Sequence, residues 1–217
     1  MEFEKFLGVM DVLLGENGCP WDREQTHESL RQYMLEECYE AIDAIDCGDM
    51  NALRDELGDV LLQVVFHAKL AEKAGAFGID DVIKSVSDKL VSRHTHIFGE
   101  EKANDVEDVK RIWEANKEKE REGSAVSAMN SVPKALPALV RAAKVIKRSK
   151  KELPPAEEII TRIDEQLKNT AVKDIDFGNI LLSLAALSNI LDINAEFSLT
   201  KALEAFINTE SKSFFKQ

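Results

Sequence analysis

Apolar residues recur along this chain at three- and four-residue steps, and the two-residue alternation of a half-buried strand is nearly absent. The pattern predicts an all-α protein. A first helix is expected over about 2–14. The segment Gly15–Asp22, GENGCPWD, reads as a loop because Asn17-Gly18 and Pro20 punctuate it. A long helix follows over about 26–47, with Thr26 as its N-cap and Gly48 beyond its end. Asp49 is placed to cap the next helix, over about 50–74, which Gly75 closes. Further helices are expected over about 80–95, 105–121, 137–150, 155–169, 177–193 and 198–212. The stretch 123–137, GSAVSAMNSVPKALP, reads as a linker. The expected organisation is therefore a helical domain over 1–122, a linker over 123–137 and a second helical domain over 138–217.

The two halves resemble each other. Glu56-Leu-Gly-Asp-Val-Leu-Leu62 lines up with Asp176-Phe-Gly-Asn-Ile-Leu-Leu182 at an offset of 120, which also pairs Phe77 with Phe197, Ile79 with Leu199 and Ile83 with Leu203. Upstream, Leu35–Glu40 matches Ile160–Glu165 at an offset of 125. Tandem antiparallel helical bundles are the expected architecture. Gly58 and Gly178 interrupt the matched helices, where glycine costs about 1 kcal/mol against alanine. Their presence predicts close approach of another backbone or a ligand.

Composition narrows the function classes. No apolar run among the 217 residues approaches the ~18 that a membrane span needs. The first residues, MEFEKFLG, carry acids where an export signal carries bases. Three cysteines, Cys19, Cys38 and Cys47, form no CxxC pair and fit free thiols in a reducing cytoplasm. Net charge is −12 and lopsided: residues 1–123 hold 29 acids against 15 bases, residues 124–217 hold 11 against 13. Such a chain is not expected to bind nucleic acid, which is held by clustered Lys and Arg. Carboxylates concentrated in one half invite a divalent cation.

Two acidic clusters give that cation a place. Glu36, Glu37 and Glu40 form EExxE on the first long helix, and Glu56 and Asp59 form ExxD on the next. Residues three or four apart share a helix face. On a helical wheel Glu37 falls close to Leu30, in a stripe with Met34, Ala41 and Ile45, and Glu40 lies beside Tyr33. On the second helix, Glu56, Asp59, Gln63 and His67 form a polar seam. Leu57, Val60, Leu61, Val64 and Ala68 border it on one side, and Leu62, Phe66 and Leu70 on the other. Packing the two helices together brings four carboxylates into one pocket. Two bare carboxylates ~5 Å apart repel by about 3 kcal/mol at an effective dielectric of about 20. Oxygen-only ligands at that spacing favour Mg²⁺, with Mn²⁺ as a substitute. A di-iron bundle would need two ExxH motifs, and only Glu24–His27 is present. His94 and His96 lack a further soft ligand, and no P-loop or GxGxxG occurs.

Five segments in order, CPWD (19–22), THESLRQYMLEECYE (26–40), LRDELGDVLLQVVFHA (53–68), KLVSRHTHIFG (89–99) and WEANK (113–117), resemble the MazG-type nucleoside triphosphate pyrophosphohydrolases. The resemblance implies an all-α fold, a homodimer, and Mg²⁺-dependent hydrolysis of nucleoside triphosphates to the monophosphate and pyrophosphate. It also implies Glu37, Glu40, Glu56 and Asp59 as metal ligands, with Glu36 orienting a ligand or a water. Glu36 or Glu40 is the general base; the motif leaves that choice open. Lys89, Arg93 and Lys117 are implied as triphosphate contacts, and Trp21 or Tyr33 as the surface on which a base stacks.

The second copy departs from the motif. Arg162 and Glu165 stand where the first half has Glu37 and Glu40, and Asp176 and Asn179 where it has Glu56 and Asp59. Lys89 becomes Thr209 and Arg93 becomes Ser213. The apolar positions persist, so this half reads as a catalytically silent domain that packs, dimerises or regulates. The competing reading of the whole chain is a non-enzymatic nucleotide-binding or scaffold protein that kept the fold.

Overall fold

The computed structural model describes residues 1–120, 125–168 and 174–208, and every regular element among them is helical. The helices are α1 (Glu2–Leu14), α2 (Pro20–Arg23), α3 (His27–Cys47), α4 (Met50–Lys73), α5 (Ile79–Arg93), α6 (Thr95–Phe98), α7 (Val106–Lys119), α8 (Ala125–Asn130), α9 (Ala138–Ser149), α10 (Ala156–Lys168), α11 (Asp174–Ile190) and α12 (Ala195–Asn208). They fall into two compact units, one up to Lys117 and one from Glu118 onward.

Local chemistry sets the boundaries of the first unit. Thr26 starts α3 in a capping box: its side chain accepts from the Ser29 N–H, and the Ser29 hydroxyl accepts from the Thr26 N–H. Gly48 ends α3 at φ 71°, a conformation glycine enters without strain. Asp49 follows at once and caps α4 by accepting from the Asn51 and Ala52 N–H groups. The two-residue connection forces α3 and α4 into an antiparallel pair, the most extensive helix packing in the unit. The segment read as a loop before α3 contains a short helix, Pro20–Arg23, with proline at its first position where no N–H partner is needed. That segment folds back on α1: Cys19 N–H donates to the Leu13 carbonyl at 2.9 Å. A Cβ on Gly18 would meet the same carbonyl oxygen at 2.1 Å, so only glycine fits there.

The core of this unit is Met10, Leu30, Val65 and Phe66, with Phe6, Tyr33, Leu62 and Leu70 packed around it. The helical-wheel expectation holds for Leu30 and Ala41 and fails at its edges. Met34, Ile45, Leu57 and Leu61 are exposed, and on α4 burial falls further along the helix, at Val65, Phe66, Ala68 and Ala71. The expectation for the helix glycines also fails within the chain. A Cβ on Gly58 or Gly178 would meet nothing within 4 Å.

In the second unit α9 packs along α11, with α8, α10 and α12 around them. α8 lies inside the stretch read as a linker and packs on α9. Asn189 on α11 donates from Nδ2 to the Ala143 carbonyl on α9 at 2.9 Å, tying the two helices together. Burial follows the offset of 120: Val65, Phe66 and Ala68 are buried on α4, and Ala185, Ala186 and Ser188 are buried on α11. Thr209 and Ser213 lie outside the described residues. No single helix among the described residues is long and apolar enough to cross a membrane.

Candidate active site

The antiparallel α3–α4 pair carries the carboxylates to one place. EExxE sits in the middle of α3 and ExxD in the first turns of α4, so the short Gly48-Asp49 connection sets the two motifs opposite one another. One oxygen from each of Glu37, Glu56 and Asp59 lies within 4.8 Å of the others, and this is the one such acidic group among the described residues. Glu40, on the same helix as Glu37, is near enough for its charge to act on both Glu37 and Glu56. Glu36 is exposed on the same helix and adds its negative charge to the field at Glu37.

The electrostatics follow from that crowding. Glu37 is pushed above the ordinary carboxylate range, first by partial desolvation, then by the charges of Asp59, Glu40, Glu56 and Glu36. Glu56 is pushed the same way, by desolvation, by the charge and hydrogen bond of Glu40, and by Asp59 and Asp55. Beyond desolvation, the strongest influences on Glu37 and Glu56 all come from other acids. Acids held together against their own repulsion fit a hard divalent ion, and the donor set is oxygen alone. Glu37, Glu40, Glu56 and Asp59 are the residues present to hold it.

The lower end of the α4 seam is closed by a histidine pair. His27 Nδ1 and His67 Nδ1 are 2.8 Å apart, and the rings stack with centroids 5.1 Å apart. His67 is lowered below its usual range, by burial first and then by His27. His67, the last residue of the seam, is half-buried and hydrogen-bonded; its partner, 40 residues away at the start of α3, carried no sequence signal. Gln63 is buried in the seam with its Oε1 unpartnered.

The remaining predicted residues form other groups. Trp21 is half exposed on α2 and meets Tyr33 edge-on, with ring centroids 6.0 Å apart. Tyr33 packs against the core. Lys89 is exposed on α5 and lines a shallow hollow with Phe77, Asp81 and Val86. One turn on, the Arg93 guanidinium lies 5.4 Å over the Trp113 ring, and His94 meets Trp113 edge-on at 4.8 Å. Lys117, one turn beyond Trp113 on α7, stands 3.8 Å from Glu114. Asn116 was not anticipated. Buried between α5 and α7, it donates from Nδ2 to Thr95 Oγ1 at 2.8 Å and to the Arg93 carbonyl at 3.4 Å. It fixes the chain that carries Arg93. A lone Asn inside WEANK gave no hint of this, because its partners come from a different helix.

In the second unit Arg162 pairs with Glu158 along α10, so its charge is turned to a local acid. Glu165 is exposed.

Comparisons with known proteins agree with the motifs. Residues 25–98 match the family described as MazG nucleotide pyrophosphohydrolase domain. The chain is 37% identical, over 97% of its own length and 84% of the relative's, to the nucleoside triphosphate pyrophosphohydrolase/pyrophosphatase MazG of Thermotoga maritima. It is 38% identical, over 94% of its length and 84% of the relative's, to the nucleoside triphosphate pyrophosphohydrolase of Escherichia coli K12. It is also 53% identical to the uncharacterized protein YabN of Bacillus subtilis, over 67% of this chain, but spans only 30% of YabN.

Proposed function

The chain belongs to the MazG family of nucleotide pyrophosphohydrolases, and from that premise we propose how its first unit works. It is a hydrolase of nucleoside triphosphates that releases the monophosphate and pyrophosphate. The observation that carries this reading is the carboxylate cluster across α3 and α4, with Glu37, Glu56 and Asp59 oxygens within 4.8 Å of one another. Glu37, Glu40, Glu56 and Asp59 hold Mg²⁺, and Mn²⁺ substitutes for it. A bound divalent ion there neutralises phosphate charge and lowers the pKa of an attacking water.

The protein's own groups do the rest. Glu36 or Glu40 takes the proton of the water that attacks the α-phosphorus. The charge of Glu40 acts on both Glu37 and Glu56, which places it beside the cluster. Arg93, Lys89 and Lys117 meet the charge of the departing pyrophosphate, since cations placed where charge develops stabilise the transition state. Asn116 and Trp113 hold Arg93 in place from below. The half-exposed Trp21 ring, braced edge-on by Tyr33, offers a face for a base.

The second unit keeps the helices without the ligand set and is catalytically silent. The protein is a homodimer. Gly58 leaves open space between the exposed Leu57 and Leu61 on α4, a surface suited to a second copy. Free thiols at Cys19, Cys38 and Cys47 fit a cytoplasmic protein. Product analysis on a panel of ribo- and deoxynucleoside triphosphates tests the reading. Monophosphate and pyrophosphate are expected with Mg²⁺ and nothing with EDTA. Diphosphate and phosphate, or nucleotide binding without turnover, would contradict it.

A further inference from the structure

The second unit holds a cavity of about 480 Å³ that the catalytic account does not use. Its walls come from one side of α9 along its length, the segment just after α9, the end of α11 and the start of α12. Leu139, Leu153 and Ile193 supply apolar surface, and Lys144, Lys147 and Lys151 supply cations; Asp192 is the one acid. That volume lies within the range of small-molecule sites, roughly 300–1,000 Å³.

Three further features point to an anion. From Ser124 to Lys151 the chain has no Asp or Glu but seven Lys and Arg, in a protein whose net charge is −12. Among them, Lys150 pairs with Glu118 at 2.6 Å, and Arg148 donates to Ser131 Oγ at 2.7 Å. The lysines at the cavity are additional to these. The 14-residue α12 begins at the cavity: Ala195 lines it, and Asn194 lines it while capping the Glu196 and Phe197 N–H groups. Positive helix-end potential thus adds to the lysines. The floor is fixed beforehand by the Asn189–Ala143 bond between α11 and α9.

The hollow at the comparable place in the first unit, between the ends of α1 and α4, has a different charge balance. Its Lys69 is held by Asp11 at 2.7 Å and Glu72 at 3.1 Å, and both acids line the hollow. Arg23 and Lys73 complete the charged lining of that hollow, three cations against two acids, whereas the second-unit cavity sets three lysines against one acid beside apolar walls.

We propose that this cavity is a second, non-catalytic site for a phosphorylated small molecule of the nucleotide class. The lysines and the start of α12 take the phosphate, and the Leu139, Leu153 and Ile193 surface takes the base. The site is independent of the first-unit carboxylates and needs no divalent metal.

Titration calorimetry on the full chain in EDTA tests this, with AMP and inorganic pyrophosphate as separate probes. One equivalent of AMP per chain is expected. Lys144→Gln/Lys151→Gln should weaken it about tenfold or more, as for loss of charge-assisted contacts. Both lysines are exposed, so the thermal unfolding midpoint should not move. Glu56→Ala should bind AMP as the wild type does. AMP binding weaker than pyrophosphate binding would remove the base-binding wall and overturn the nucleotide assignment. The site itself is overturned by absence of binding in EDTA, by binding that the lysine variant leaves unchanged, by loss in Glu56→Ala, or by binding of single-stranded RNA alone.

Discussion

The helix pairs α3–α4 and α10–α11 occupy matching stretches of the repeat, yet only the first carries a charged site. On α4, Val65, Phe66 and Ala68 are buried; at the same offset on α11, Ala185, Ala186 and Ser188 are buried. The positions that hold the helices in place are kept in both. The proposed ligand positions are only partly kept: Glu40 and Glu56 correspond to the acids Glu165 and Asp176, but Glu37 and Asp59 correspond to Arg162 and Asn179. A helical core depends on volume and polarity at a few buried positions, so it tolerates the loss of ligands on its flank. A metal site depends on all its donors at once. α11 packs chiefly on α9, whereas α4 packs chiefly on α3. The pair that faces its sequence neighbour closely is the pair that assembles the site.

The comparison can be broken or sharpened experimentally. The largest effect is expected from Asp59→Asn, which copies the second unit's Asn179 into the first. Steady-state pyrophosphate release should fall by about a thousandfold or more, the scale for loss of a group that acts on developing charge. An Asp59→Asn protein with near-normal kcat would break the assignment of ligands. Next is Leu30→Ala, which empties a fully buried position under α3. It should cost about 2–5 kcal/mol in urea unfolding of the first unit, whereas Ile160→Ala, exposed on α10, should cost under about 0.5 kcal/mol. Thr26→Ala removes the α3 capping box and should cost about 1 kcal/mol by the same measurement.

Acidity gives a smaller and directional effect. Glu37 and Glu56 have folded-state pKa values raised above the ordinary range. Between the ordinary and raised values the folded chain binds more protons than the unfolded one, so stability falls as pH rises. The melting temperature of metal-free protein should therefore drop as pH climbs from about 4.3, the ordinary Glu value, through the raised values. Mg²⁺ at neutral pH should restore it. Glu37→Gln should flatten the metal-free profile; an unchanged profile would show that the cluster is not the source.

Much of this was legible in the pattern of residues. The helices of the first unit end within a residue or two of the expected positions, because Thr26, Gly48 and Asp49 state their roles through local hydrogen bonds. The gathering of Glu37, Glu56 and Asp59 was legible as well, since spacing on two adjacent helices fixes a common face. What depended on distant partners was not. The Asn116 link to Thr95 and Arg93 and the His27–His67 pair join residues from different helices, and no local spacing announces them. The exposure of Met34, Ile45, Leu57 and Leu61 was missed for a related reason. A wheel tells which residues share a face but not which face the neighbouring helix covers. Gly58 and Gly178 mark open surface instead of close packing within the chain.

The central claim is that the first unit alone does the chemistry. Its most direct test is pyrophosphate release by the wild type, Glu56→Ala and Glu165→Ala, side by side, on a triphosphate panel with Mg²⁺. The account predicts turnover by the wild type and Glu165→Ala alike and none by Glu56→Ala. Persistent turnover in Glu56→Ala that disappears when Glu165→Ala is added would place the active site in the second unit and contradict it.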